Sequence, residues 1–306
     1  MKYLQLKFAE FIAHVFPRRM GYGVARRLAD LFYLLDRPGR EAVIANLRRI
    51  HARGGVALSR RALRMLAREN FLNFAKYLVD FFHFLHLEPE RMHRLIDFGD
   101  ARRMVDELLA RRRGLIFLSA HLGNWELGAA AMAQSGYKLN AVALKQPDAK
   151  LEGLYSRYRR LRGIHAIPFG RAARECLAAL RRNECVAAIG DRDYTGSRET
   201  VEFFGEPARL PDGPAKLALA TGAPILPTFM VRQPDDTFRF IIGTPIETDR
   251  SRDTVPEVMR RIAQALETVI SEHSEQWYLF HDLWNIEEDR ALAKEAAFGE
   301  DADEQR

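Results

Sequence analysis

Apolar residues recur at three- and four-residue intervals through the first third of the chain, then give way to short continuous apolar runs. The first pattern predicts helices over Gly23 to Leu35, Arg40 to Ile50 and Ser59 to Leu85, the last opening on a serine suited to cap it. From Gly114 onward the pattern changes. Apolar runs at 114–120, 140–144, 165–168, 185–189, 224–230 and 238–242 alternate with helical segments at 125–134 and near 150–162, 171–182, 212–221 and 255–273. Strands alternating with helices predict an α/β fold with a mixed, largely parallel sheet covered by helices. The expected organisation is a basic helical N-terminal region over 1–113, an α/β core over 114–285 and an acidic tail over 286–306, forming one structural domain overall. Ligands in such sheets collect outside the carboxyl ends of the strands.

Near the N-terminus Tyr3, Leu4, Leu6, Phe8, Phe11, Ile12, Val15 and Phe16 recur at helical spacing, with Lys2, Lys7, Glu10 and His14 between them. This amphipathic helix suits a membrane interface or a domain-packing role, and the pattern alone leaves both open. Charge sharpens the picture. Residues 1–113 carry 23 Lys and Arg against 12 Asp and Glu, residues 114–285 carry 21 against 21, and residues 286–306 carry 3 against 8. The basic residues lie among aliphatic and aromatic ones on several helices, without a nucleic-acid reading module, so an anionic membrane leaflet is the expected partner and nucleic acid is not. Phe71, Phe74, Tyr77, Leu78, Phe81, Phe82 and Leu85 form an aromatic stripe on the helix opened by Ser59, suited to core packing or to lining an apolar ligand. Cys176 and Cys185 fall in core-like helix and strand, with neither zinc-ligand nor secreted-disulfide spacing.

The chemistry concentrates after the first apolar run. His121 leaves its carboxyl end and Glu126 falls in the first turn of the next helix. On a continuous helix five residues would turn about 500° and part the side chains, but Gly123 lets the chain turn and Asn124 can cap the helix. The carboxylate is then expected to fold back onto one imidazole nitrogen while the other faces the cleft. A neutral imidazole can take the proton of an attacking hydroxyl, and a carboxylate behind it fixes the tautomer and stabilises the imidazolium.

Ser119-Ala-His-Leu-Gly-Asn-Trp-Glu126 resembles the His-x4-Asp/Glu block of the bacterial late acyltransferases of lipid A biosynthesis and their relatives, among them the phosphatidylinositol mannoside acyltransferases. Gly190-Asp-Arg-Asp-Tyr-Thr195 is similar to the Asp-Arg-Asp segment of the latter branch. Val201-Glu-Phe-Phe-Gly-Glu-Pro-Ala-Arg-Leu-Pro211, the Gly213-Pro-Ala to Thr221-Gly-Ala-Pro224 stretch and Glu275-Gln-Trp-Tyr-Leu-Phe-His281 match further blocks in order, so the resemblance spans about residues 25 to 284.

The resemblance implies a glycerolipid acyltransferase-like fold and a membrane-associated O-acyltransferase. It assigns the base to His121 and the acidic place to Glu126, with Asn124, Arg192, Asp193 and Gly213 as candidate substrate contacts. An arginine at a strand exit can bind a phosphate or the thioester oxygen, with a flanking aspartate bracing it, and Gly213 opens a helix whose first N–H groups can meet an anion. The donor would be acyl-ACP or acyl-CoA, with no further cofactor and no metal. The acceptor would be a hydroxyl of a glycolipid or phospholipid at the cytoplasmic face of the inner membrane, reached by a peripheral or monotopic protein. Two other readings are a non-catalytic lipid carrier on the same fold and a metal-dependent hydrolase using His121, Glu126, Asp191 and Asp193.

Overall fold

The computed structural model describes residues 7–8, 10–11, 13, 15–84, 88–143, 149–168, 172–192 and 198–285. Asp193, Leu85 and the tail over 286–306 lie outside these residues.

The first two predicted helices start earlier than periodicity suggests. Helix α1 spans Arg18–Leu35 and α2 Arg37–Arg53. Between them Asp36 caps α2 by accepting the N–H of Gly39 at 3.0 Å, ahead of a proline in the first turn where its missing N–H costs nothing. Helix α3, Arg60–His83, opens as expected: Ser59 Oγ accepts the N–H of Ala62 at 3.2 Å. Beyond it the chain is less purely helical than predicted. Helix α4 (Pro89–His93) and α5 (Ala101–Leu109) flank β1, Ile96–Asp97, which joins the edge of the main sheet. A two-residue strand carries no periodic signal of its own, so it was not legible in the pattern.

The rest alternates: β2 Leu115–Ser119, α6 Trp125–Gln134, β3 Leu139–Ala143, α7 Ala149–Leu161, β4 Ile164–Pro168, α8 Ala172–Arg181 and β5 Cys185–Ile189. A hairpin of β6 (Arg198–Phe203) and β7 (Glu206–Pro211) follows, then α9 Gly213–Thr221, β8 Ile225–Arg232, β9 Phe238–Ile242 and α10 Val255–Glu272. The seven-stranded sheet has the order β1-β9-β8-β2-β5-β3-β4. Only β8 and β9 pair antiparallel; every other neighbouring pair is parallel. The fold is therefore α/β with a mixed, largely parallel sheet under helices on both faces.

Strand alternation divides the core. Ile116, Leu118 and Val186 pack with α8, α9 and α10 on one face, while Leu115, Phe117 and Cys185 pack with α5 and α6 on the other. The N-terminal helices are fastened to this sheet by a buried polar cluster. Asp80 of α3 binds Arg232 at the end of β8, lies 3.0 Å from Nε of Arg18, and accepts the Tyr22 hydroxyl at 2.5 Å. Burial, then the Asp80 charge, pushes the Tyr22 hydroxyl far above its ordinary range, so it remains a donor.

Candidate active site

Strands β2 and β5 lie side by side and in parallel, with Leu115 opposite Cys185 through to Ser119 opposite Ile189. The N–H of Gly190 still reaches the Ser119 carbonyl at 2.8 Å, so the two chains leave the sheet abreast. Two residues beyond each last pair stand His121 and Asp191. Asp191 Oδ1 lies 2.8 Å from His121 Nδ1, and Oδ2 accepts the His121 backbone N–H at 2.8 Å and the Trp277 indole N–H at 2.8 Å. Burial of Asp191 is the largest influence and raises its carboxyl, but the charge of His121 and these hydrogen bonds together bring it below the usual carboxylate range. An ionised Asp191 facing Nδ1 selects the tautomer that carries its proton there, leaving Nε2 as the basic nitrogen.

The loop around His121 is held from several sides. Gly123 adopts a positive φ of 62°, and its N–H reaches the Gln276 carbonyl at 2.9 Å. The Asn124 N–H reaches the Met230 carbonyl at 2.8 Å, and the Tyr278 N–H reaches the His121 carbonyl at 2.8 Å. The 276–278 segment is itself clamped. Asn70 of α3 donates to the Trp277 carbonyl at 2.7 Å, and the Gln276 amide accepts the Arg232 N–H at 2.9 Å and donates to the Arg232 carbonyl at 3.0 Å. Nothing in the spacing of the motifs distinguishes Trp277 from a packing tryptophan; its hydrogen bond to Asp191 makes it part of the site.

A cavity of about 920 Å³ opens beside the His121 ring. Its walls are mostly apolar, as a site for a long apolar ligand requires. They include Val186, Ala187, Ala188 and Ile189 in succession, so the cavity touches both faces of β5. The pairing explains the opening: β3 and β5 pair from Leu139 and Cys185 no further than Ala141 and Ala187, whereas β2 and β5 run on to Ser119 and Ile189. From the aromatic stripe of α3, Tyr77 reaches the cavity wall and stacks on Trp125 at 4.5 Å between ring centroids, while Phe71 and Phe74 pack on Phe280.

Glu126 was expected on His121. The structure turns it elsewhere: its Oε1 lies 3.5 Å from Arg159 of α7, in a pocket wall shared with Tyr77 and Tyr155, and the Nδ1 partner of His121 is Asp191. Glu126 is the second residue of a capped helix and its carboxylate faces Arg159 of α7, whereas Asp191 arrives at His121 by strand register. Burial first and the Glu126 charge next push the Tyr155 hydroxyl up to about 12 and the Tyr77 hydroxyl well above its usual range. Asn124 is 1 % exposed and caps α6, accepting the Leu127 N–H at 3.0 Å; its Nδ2 is buried without a partner. Arg192 and Gly213 both line the cavity, the latter opening α9 beside Lys216, which pairs with Asp212 at 2.8 Å. Asp193 lies outside the described residues. Glu206 pairs with Arg49 at 3.1 Å. Cys176 touches the cavity, but burial pushes its thiol up to about 11, so it is protonated and a poor nucleophile. Among the described residues no group of three or more His, Cys, Asp or Glu stands ready to hold a metal ion.

The chain is 27 % identical over 223 residues to the phosphatidylinositol mannoside acyltransferase of Mycolicibacterium smegmatis, covering 72 % of each protein. It is 28 % identical over 221 residues to the enzyme of that name from Mycobacterium tuberculosis, covering 69 % of this chain and 68 % of the relative. The model of the bacterial lipid A biosynthesis acyltransferases matches residues 3–285, and the chain belongs to that family.

Proposed function

We propose that the protein moves a fatty acyl chain from an acyl thioester, acyl-CoA or acyl-ACP, to a hydroxyl of a membrane glycolipid. The observation that carries this reading is His121, backed by a buried carboxylate on Nδ1, standing at the mouth of an apolar cavity with room for an acyl chain. Nε2 takes the proton of the acceptor hydroxyl as it attacks the acyl carbon, and Asp191 stabilises the imidazolium that forms. Glu126 and the tyrosines beside it receive the polar headgroup of the acceptor, with Asn124 holding the helix on which Glu126 sits. Arg192 and the N-terminus of α9 at Gly213 attract the anionic part of a substrate. The names of the mycobacterial relatives support an acceptor built on a glycosylated phospholipid.

The same reading locates the reaction at the cytoplasmic face of the inner membrane. No helix among the described residues is long and apolar enough to cross a membrane. Phe8, Phe11 and Val15 are 46 %, 57 % and 53 % exposed. Ala13, on the same helical stretch, is buried against Phe81, Phe82, Leu154 and Tyr158, which ties that apolar ridge to the wall beside Tyr155 and Arg159. A ridge dipping into the interface would bring the cavity mouth to the lipid.

The test is to incubate the purified protein with extracted membrane lipids and acyl-CoA or acyl-ACP, and to compare lipid mass spectra with those of His121→Ala. A newly acylated lipid made by wild type and absent from His121→Ala is expected. Equal product from both would remove the proposed base. Bound lipid with no product from any donor would favour the carrier reading.

A further inference from the structure

Ser119 ends β2 and lines the cavity, two residues before His121. Its carbonyl is committed to the N–H of Gly190, but its Oγ is buried and has no hydrogen-bond partner. Alternation along β2 sends Phe117 and Ser119 to one face, and both reach the cavity wall. On one side stands Ile189, its partner on β5. On the other, one step beyond the pairing of Leu118 with Pro227, stands Thr228 of β8, whose hydroxyl lies 3.5 Å from the Leu118 carbonyl. Ser119 and Thr228 thus stand on adjacent strands in a mostly apolar wall, and the serine's hydroxyl is the one left without a partner. A buried hydroxyl that makes no hydrogen bond is destabilising, and an alanine would fill the position without that cost.

We propose that the Ser119 hydroxyl donates a hydrogen bond to the carbonyl oxygen of the acyl donor as negative charge develops there. This role rests on the acyl-transfer reading above and assigns a second group to the reacting atoms. The acceptor oxygen forms a C–O bond to the acyl carbon while its proton passes to Nε2 of His121. The carbonyl π pair moves onto oxygen, where the Ser119 O–H meets it. Collapse breaks the C–S bond, the electron pair leaves on sulfur, and His121 returns the proton to the thiolate. An ester and a thiol result.

A hydroxyl kept for the transition state predicts opposite effects on turnover and stability. Wild type, Ser119→Ala, Ser119→Thr and His121→Ala would be compared with palmitoyl-CoA and an extracted glycolipid fraction, following thiol release and acylated lipid, with thermal melting measured alongside. Ser119→Ala should lower kcat on the order of 100-fold, the loss usual for one oxyanion donor, with KM nearly unchanged and a melting temperature equal to or above wild type. Ser119→Thr, which keeps the hydroxyl, should recover much of the turnover. Full kcat in a folded Ser119→Ala, or equal losses in Ser119→Ala and Ser119→Thr with unchanged melting, would overturn the proposal while the His121 control leaves the transfer reading standing. Wild type that acylates nothing and matches His121→Ala would overturn the transfer reading, and the serine's role with it.

Discussion

Asp191 Oδ1 and His121 Nδ1 are 2.8 Å apart although 70 residues separate them in the chain. Strand register brings them together, and the same carboxylate holds the backbone N–H of His121 and the indole of Trp277. Glu126, only five residues from His121, faces Arg159 instead.

The two carboxylates should therefore fail differently. Asp191→Asn leaves an amide that can offer Nδ1 the wrong partner, so kcat should fall on the order of 1,000-fold with a small change in KM for the donor. Glu126→Gln should act chiefly on the acceptor, raising its KM with a smaller loss of kcat. Steady-state kinetics with each substrate varied separately would decide this; a Glu126→Gln variant as impaired in kcat as Asp191→Asn would return Glu126 to the base.

What the sequence made legible was what local pattern controls. The strand before His121, the helix after it and the turn at Gly123 follow from apolar runs and residue chemistry, and so does the Ser59 cap. The partner of His121 did not follow, because strand order is a tertiary property. Leu115–Ser119 and Cys185–Ile189 each end two residues before a chemically useful side chain, yet only their adjacency in the sheet makes that a pair. The 276–278 clamp was hidden for the same reason: its hydrogen bonds reach Asp191, Gly123 and Asn70, each distant in the chain. Gly123 gives the chain freedom to turn. The structure adds a second requirement, since a Cβ there would lie 2.1 Å from the Met230 carbonyl oxygen.

Gly123→Ala should consequently cost more than its conformation alone. The positive φ of 62° is worth on the order of 1–3 kcal/mol to a residue with a side chain, and the rigid backbone of Met230 must also yield. Because this loop carries His121, activity should fall further than stability. Urea unfolding together with turnover at a temperature well below melting would separate the two, and a variant of wild-type activity would show that the loop is not what sets the histidine.

The Asp80 cluster should behave as a buried charge network. Asp80→Ala strips Arg232, itself 7 % exposed, of its main counter-charge, at a cost of about 3–5 kcal/mol. Replacing both partners, Asp80→Leu with Arg232→Met, should recover a substantial part of that loss. Urea midpoints of the two single variants and the double variant test the coupling; strictly additive losses would mean the pair is not a unit.

Membrane contact should depend on the N-terminal ridge. Phe11→Asp adds a charge at a 57 % exposed position and should reduce co-sedimentation with vesicles containing anionic phospholipid by several-fold, leaving turnover of detergent-dispersed substrate close to wild type. Unchanged vesicle binding would direct attention to another surface.

His281 supplies a pH signature. Burial first, then the charge of Arg192, lowers this imidazole to about 4, with His121 acting in the same direction and Asp191 and Asp282 against it. Its Nε2 is buried without a hydrogen-bond partner. An imidazole in the unfolded chain takes up a proton near pH 6.5. Between about 6.5 and 4 the unfolded chain therefore binds a proton that the folded chain does not, so stability is fully present above this window, falls as pH drops through it, and levels out below. The slope contributed by one such group reaches about 1.4 kcal/mol per pH unit. Asp191, held below the ordinary carboxylate range, adds its own loss only at lower pH. Unfolding free energies from urea titrations at pH 7.5, 5.5 and 4.5 should therefore decline more steeply for wild type than for His281→Leu. Parallel declines would mean that the imidazole titrates alike in both states, and that its burial does not set the acid limit of the fold.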